Sequence, residues 1–314
     1  MTEFPRQSLA QTGLEVPRIA LGCAHIGKNG REEAIGIVHS ALELGIDYLD
    51  TAPLYKTEEY IGEALQGVPR DSYIMATKIG RLPDGQGGFI FDYSRDGVLR
   101  SLENSLKALK IDRVDILHIH DPDVDDKYEE ALHQGYPALD ELRSQGVVRA
   151  IGAGMNEWEM ELDFSRAGNF DCFLLAGRYT LLEQTAMGAL QEWRDRGIGV
   201  FAGGIFNSGI LATGDSEVAS YNYEVAPPHV RAKARELERV CKSHQVPLNA
   251  AAIQFVWAHP AYTTLIPGAD RVPQVADNLR ALEFDIPPVF WQELVECGLV
   301  DAEAPLPGTP GAWA

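Results

Sequence analysis

Residues 47–65, DYLDTAPLYKTEEYIGEAL, decide how this chain is read. Ile46, Tyr48 and Asp50 alternate with Asp47 and Leu49, the period of two that marks a strand. A proline-bearing TAP turn follows, then Tyr55. From Thr57 the spacing changes. Tyr60, Ile61, Ala64 and Leu65 recur at helical intervals, with Thr57 placed to act as N-cap. Asp50 therefore stands at the C-terminal tip of a strand and Tyr55 on the loop into a helix. In parallel α/β folds that edge carries the chemistry. An Asp and a Tyr alone are weak evidence, because loops commonly carry both.

The same strand–turn–helix unit recurs in both directions. Strand-like runs fall at 18–22, 46–50, 73–77, 114–120, 148–152, 172–176, 199–202 and 263–266. Helical patterns separate them at 31–44, 58–65, 95–109, 129–145, 157–167, 183–196 and 230–244, and two more follow at 272–282 and 290–297. Eight such units predict an α/β fold of the (β/α)8 TIM-barrel class. An open doubly wound sheet would carry GxGxxG at its first strand–helix turn, and LGCAHIGKNG fits that pattern poorly. Ahead of the first strand, SLAQTGLEVPRIAL holds two short apolar runs around TG, which predicts an N-terminal β-hairpin on the barrel floor. No linker or low-complexity tract divides the 314 residues, so one domain over 1–314 is expected.

Composition narrows the partners. With 45% apolar residues the chain can bury a large core, and no apolar run reaches the length of about 18 residues that a membrane span needs. The N-terminal MTEFPRQSLAQTG has no apolar signal region. A formal net charge of −19 repels nucleic acid and anionic membranes. Cys23, Cys172, Cys241 and Cys297 are scattered without a CxxC, as suits buried thiols in the cytoplasm. A small-molecule substrate and a monomer or weak homo-oligomer are expected. No metal is expected, because His118 and His120 form the only HxH at a strand end and no distant rim carboxylate completes a site.

Two further strand ends bear candidate groups. Ile74, Ala76 and Lys78 share one face, which puts Lys78 at the top, inward if its face is the inner one; a solvated strand-end lysine is the alternative. In VDILHIHDPD, Ile116, His118 and His120 share a face. His120 comes last, at the rim, and His118 reads as a hydrogen-bonded interior histidine one layer down. Asp50, Tyr55, Lys78 and His120 make a coherent set. A tyrosine of pKa about 10 is a poor base at neutral pH, a nearby ammonium favours its phenolate, and a carboxylate holds that ammonium in place. Histidine can orient a substrate oxygen.

These residues carry a resemblance. From roughly residue 7 to 300 the chain resembles the aldo-keto reductase superfamily, in the opening SLAQTGLEVPRIALGCA, in IDYLDTAPLY and in VDILHIHDP. The resemblance implies a catalytic tetrad at Asp50, Tyr55, Lys78 and His120. HDPD at 120–123, AIGAGMNEW at 150–158, LLAGRYTLLEQ at 174–184 and GGIFNSGIL at 203–211 are similar to its aldose 1-dehydrogenase branch, of L-fucose, D-threo-aldose and L-galactose type, with a related pyridoxal dehydrogenase. That branch implies oxidation of a sugar C1 hydroxyl to a lactone with a nicotinamide cofactor. The alternative within the superfamily is an NADPH-dependent aldehyde or ketone reductase, or a pyridoxal 4-dehydrogenase-like enzyme.

The same stretches read as a cofactor bed. Gly22 ends strand one. GAGMN follows strand five, where Gly154 lets a flat ring approach and Asn156 can bond a carboxamide; a tight turn is the simpler alternative. Gly203, Phe206, Asn207, Ser208, Gly209 and Leu211 follow strand seven. Many family members place an aromatic residue at the Gly203 position to stack on the nicotinamide, so Phe201, Phe206 or Tyr179 would have to compensate. Arg178 and Tyr179, after strand six, are either sugar contacts or ordinary rim residues. In IPGADRVPQVADN at 266–278, the family pattern holds the adenosine ribose with Ile266, Gly268, Ala269, Arg271, Gln274, Asp277 and Asn278. The cations that usually meet a 2′-phosphate are replaced here by Gly268 and Gln274. The expected cofactor is therefore NAD, with NADP the alternative.

Overall fold

The structure, a computed structural model, describes residues 4–310 and Ala312. Eight parallel strands make one sheet: Leu21–Gly22, Tyr48–Asp50, Ile74–Ile79, Ile116–His120, Ala150–Met155, Cys172–Ala176, Gly199–Gly203 and Tyr262–Leu265. Neighbours in the sheet follow chain order. The two outermost strands also meet, through parallel bridges Ile19–Leu265 and Gly22–Gly268. There Ala20 N–H donates to Leu265 O at 2.8 Å and Gly22 N–H to Pro267 O at 3.0 Å. The sheet thus curls until its edges bond, the arrangement expected of a (β/α)8 barrel, and no edge is left to template foreign strands.

Alternation decides what lies inside. Tyr48, Ile74, Ala76, Ile116, Ala150, Cys172, Leu174, Phe201 and Ile266 form the inner cluster, and Leu9, Leu14 and Val16 close it from below. Those three belong to the expected hairpin, Arg6–Leu9 paired with Leu14–Pro17. Gly199 leaves the space that Leu9 fills, since a Cβ there would run into Leu9 Cδ1. Residues of opposite parity pack under the helices in the larger core.

Four features differ from the sequence expectations. The pattern at 129–145 is a helix interrupted by a π-turn: Tyr128–Glu130, Ala131–Gly135, then Tyr136–Ser144. Pro137 has no N–H to donate to the preceding turn, and the wider turn absorbs the loss. Between Pro228–His244 and the eighth strand lies a further helix, Leu248–Trp257. Its LNAAAIQFVW is apolar on nearly all sides, so it carries no polar stripe to betray a helical period. Two unexpected hairpins, Arg81–Pro83 with Phe89–Phe91 and Ser220–Tyr221 with Glu224–Val225, rise beyond strands three and seven. Thr57 occupies the N-cap position without capping. Its buried hydroxyl donates instead to Cys23 O at 3.1 Å and meets Thr51 Oγ1 at 3.2 Å, tying strand one to the Tyr55 loop. Among the described residues no helix is long and apolar enough to cross a membrane.

Candidate active site

Lys78 shares the inward face of Ile74 and Ala76 and is 1% exposed. Its Nζ donates to Asp50 Oδ1 at 2.6 Å and to Thr51 O at 2.9 Å. Above this pair the chain turns through Pro53–Tyr55, a 3-10 turn ended by Lys56 in the left-handed region at φ 57°. The half-buried Tyr55 ring lies with its centroid 5.1 Å from Lys78 Nζ. His120 meets it edge-on, 5.6 Å between centroids at 89°. The structure therefore brings Asp50, Tyr55, Lys78 and His120 together at the ends of strands two, three and four.

His120 is held by residues that the sequence reading missed or left without a role. Its Nε2 is 3.4 Å from Asp121 Oδ2, which accepts from Arg81 at 2.5 Å. The Tyr93 hydroxyl donates to His120 O at 2.6 Å. Asp121 adopts φ 47°, which turns the chain sharply off the strand. Arg81 and Tyr93 flank a hairpin that only tertiary contact brings to His120, and no local pattern marks them. His118 is buried one layer down as expected, with Nε2 3.6 Å from Cys172 Sγ and its ring edge against Phe201.

Burial governs the charges. It pushes the Asp50 carboxyl up, opposed by the Lys78 ammonium and its hydrogen bond. It pushes the His120 imidazole down to about 4, while Asp121 pulls the other way. Tyr55 corrects an expectation. Burial first, then the carboxylates of Asp50 and Asp121, push its phenol well above 10. The protein alone does not make a phenolate, and Tyr55 stands as a protonated donor. Among the described residues no group of His, Cys, Asp or Glu is arranged to hold a metal ion.

Gly22 and Gly203 end strands one and seven, and Gly154 is the penultimate residue of strand five, on the same edge of the sheet. A Cβ at Gly268 would meet only Gly22 O at 3.8 Å, so the bed there is open. A Cβ at Gly203 would lie 2.7 Å from Leu174 Cδ2, so Leu174 holds the space an aromatic side chain would need. Of the proposed substitutes, Phe201 is fully buried against Tyr48, and only Phe206 is half-exposed near the edge. Asn156 donates its amide to Ala176 O at 2.9 Å. Asn207, Ser208 and Gly209 run through three left-handed residues, pinned where Asn207 donates to Gly177 O and accepts from Thr180. Leu211 is fully buried and acts as core.

In the turn after strand eight, Ile266 and Ala269 are buried. Gln274 Oε1 caps the next helix by accepting from Asp270 and Arg271 N–H at 2.6 and 3.1 Å. Asn278 donates to Gly268 O, Asp277 pairs with Arg280, and Arg271 is exposed. Lys28, unremarked in the sequence, meets Asp270 at 2.8 Å. A glycine-lined edge flanked by the exposed cations Lys28 and Arg271 fits a flat ring and an anionic diphosphate.

One expectation is revised, and Arg178 has partners that suit a rim residue. Tyr179 is 2% exposed, stacked on Phe255 at 4.9 Å and edge-on to His259, in the outer core and away from the mouth. Its place just after strand six reads as a sugar contact, a rim residue or a stacking substitute, but its ring packs against Phe255 and His259. Arg178 is engaged with Glu157 at 2.9 Å and Asn222 at 3.1 Å, so it straps the second hairpin down.

The aldo/keto reductase family model matches residues 18–298. The chain belongs to the aldo-keto reductase family. It is 33% identical to the D-threo-aldose 1-dehydrogenase of a Pseudomonas species, covering 93% of this chain and 97% of that protein. It is 32% identical to the pyridoxal 4-dehydrogenase of Microbacterium luteolum, covering 94% and 98%. An aldo-keto reductase of Bacillus halodurans in its holo form superposes with a TM-score of 0.78 at 25% identity, covering 96% and 97%. This aldo-keto reductase is thus an oxidoreductase of a family that uses nicotinamide cofactors and small-molecule substrates.

Proposed function

We propose that this aldo-keto reductase is an NAD-preferring aldose 1-dehydrogenase, oxidising the C1 hydroxyl of an L-fucose, D-threo-aldose or L-galactose type sugar to the lactone. The observation that carries it is the buried Asp50–Lys78 pair beneath Tyr55 and beside His120, in a chain one third identical to a D-threo-aldose 1-dehydrogenase. NAD, when bound, supplies the hydride acceptor. Tyr55 exchanges a proton with the reacting oxygen, and Lys78 offsets the negative charge that builds on the phenol. Asp50 holds Lys78, and the neutral His120 orients the oxygen. A single domain acting in the cytoplasm as a monomer or weak homo-oligomer suits this reading, and all four cysteines are free.

One observation favours a second reading, an aldehyde or ketone reductase or a pyridoxal 4-dehydrogenase-like enzyme. The protonated Tyr55 phenol is poised to give a proton, as carbonyl reduction requires. A panel of aldoses with NAD+ and NADP+, set beside aldehydes and pyridoxal, separates the two. Turnover of aldehydes alone would overturn the aldose reading.

Cofactor choice is the more exposed part. Gly268 offers no side chain, Gln274 is spent on its helix cap, and Asp270 is held ionised by Lys28. A 2′-phosphate here would be half-paired beside a carboxylate, at about 1–3 kcal/mol. The expected preference for NAD+ in kcat/KM is roughly ten- to a hundredfold. Gly268→Lys with Gln274→Arg should narrow or reverse it. Equal or better use of NADP+ by the wild type would refute the assignment.

The pH profile follows from His120. The unfolded chain takes up a proton at the ordinary histidine pKa of 6.5, and the folded one only near 4. Stability from this group is full above 6.5 and is lost as pH falls through that window. Initial rates should therefore show no acidic limb at the ordinary histidine pKa, and should fall only as pH approaches about 4. A limb near 6.5 that disappears in His120→Asn would contradict a neutral His120.

A further inference from the structure

Two cations flank the end of strand three, each bonded to an aspartate. Lys78 meets Asp50, and Arg81 meets Asp121. Gly80 makes the turn between them at φ 96°. A Cβ there would run into the ring of Tyr93, whose hydroxyl bonds the His120 carbonyl. The Arg81 side chain is held from two sides. Its Nη1 is 2.5 Å from Asp121 Oδ2, and its guanidinium lies 4.1 Å from the Phe89 ring centroid. Both members of the ion pair are mostly buried, with side chains 18% and 17% exposed. Asp121 is fixed in turn. It stands at φ 47°, and its N–H donates to Gly154 O at 3.0 Å. Residues other than glycine rarely hold that backbone, and those that do cluster at functional sites.

The oxygen that meets Arg81 also meets His120. Asp121 Oδ2 is 3.4 Å from His120 Nε2. A carboxylate that close to an imidazole ordinarily draws a proton onto it. Here a guanidinium holds the same oxygen at shorter range, so the pull on the imidazole is weakened. An ion pair that only strapped the hairpin could stand anywhere along it. The other titratable side chains against His120 are Lys78, bonded to Asp50, and the Tyr55 phenol, which meets the imidazole edge-on. Asp123, Glu161 and Tyr223 feel the charge of Asp121. Burial and the charges of Lys78 and Arg81 disfavour the imidazolium, while Asp121 favours it.

We propose that Arg81 and Asp121 are positioning residues that act through His120. The pair fixes the imidazole beside Tyr55, and Arg81 occupies the Asp121 charge so that His120 stays neutral while the enzyme works. The inference rests on the role given above to His120, that of orienting the reacting oxygen.

Carbon-13 histidine NMR of the resting protein tests this without any substrate, with His120→Asn identifying the His120 signal. The wild-type imidazole should titrate at about 4. Arg81→Met leaves the Asp121 charge uncompensated and should raise the proton affinity of His120 roughly tenfold or more. Arg81→Lys keeps a cation beside Asp121 and should stay close to the wild type. Asp121→Asn should leave His120 neutral at pH 4, and combined with Arg81→Met it should cancel the rise. Initial rates should follow, the acidic limb of Arg81→Met lying at higher pH than that of the wild type. An unmoved His120 titration in Arg81→Met, or a rise that survives in the double variant, would overturn the proposal and leave the oxidoreductase reading standing. Should Arg81→Met fail to fold, an Asp121→Asn titration that does not fall would overturn it instead. A His120 signal that moves while the rates keep their wild-type limb would remove His120 from the reaction, and the positioning role with it.

Discussion

Tyr55→Phe is expected to lower kcat by roughly 10²- to 10⁴-fold, the usual worth of a positioned proton donor or acceptor. The substitution removes one oxygen and little else. The ring keeps its edge contact with His120 and its place over Lys78 Nζ. The buried Asp50–Lys78 pair beneath is untouched. Cofactor affinity should therefore stay close to the wild-type value, because the glycine-lined bed does not depend on the hydroxyl. Steady-state rates together with a cofactor titration give both readings. Retention of more than a tenth of kcat would remove Tyr55 from the proton path.

The second large effect is expected from Lys78→Met. Asp50 is 4% exposed, and its ammonium partner sits at 2.6 Å. Removing one member of a buried pair strands the other charge, at about 3–5 kcal/mol. The pH dependence has a definite sign. Burial already raises the Asp50 pKa above its ordinary 3.8, and the Lys78 charge and hydrogen bond are what lower it. Without Lys78 the folded-state pKa rises further, so the folded protein binds the proton more readily than the unfolded chain. Stability is then regained as pH falls through the folded-state value and lost as pH rises through it. Thermal melts should show a larger loss at pH 8 than at pH 5. Lys78→Met combined with Asp50→Asn should recover much of it. An equal loss at both pH values, or a double variant no more stable than the single one, would refute the coupling.

The strand–helix alternation was legible because it is a local signal. A period of two along ATKI and ILHIH is enough to put Lys78 and His120 at strand ends and His118 a layer below. The TG turn between two apolar runs was enough for the floor hairpin. The helix Leu248–Trp257 escaped because residues surrounded by protein need no polar stripe. Tyr179 escaped for a related reason. Its place after strand six is readable, but the direction of its ring depends on Phe255 and His259, more than 70 residues away in the chain.

The sequence by itself determined the eight-unit parallel α/β pattern, the four candidate catalytic groups and the missing cations after strand eight, all carried by residue type and spacing along the chain. Only the tertiary structure decided which groups touch and how they are charged. The bond from Lys78 to Asp50 and the Arg81–Asp121–His120 linkage each join segments 28 or more residues apart. The protonated Tyr55 shows why. An ammonium nearby suggests a phenolate, but desolvation depends on everything packed around the ring, and here burial pushes the phenol up.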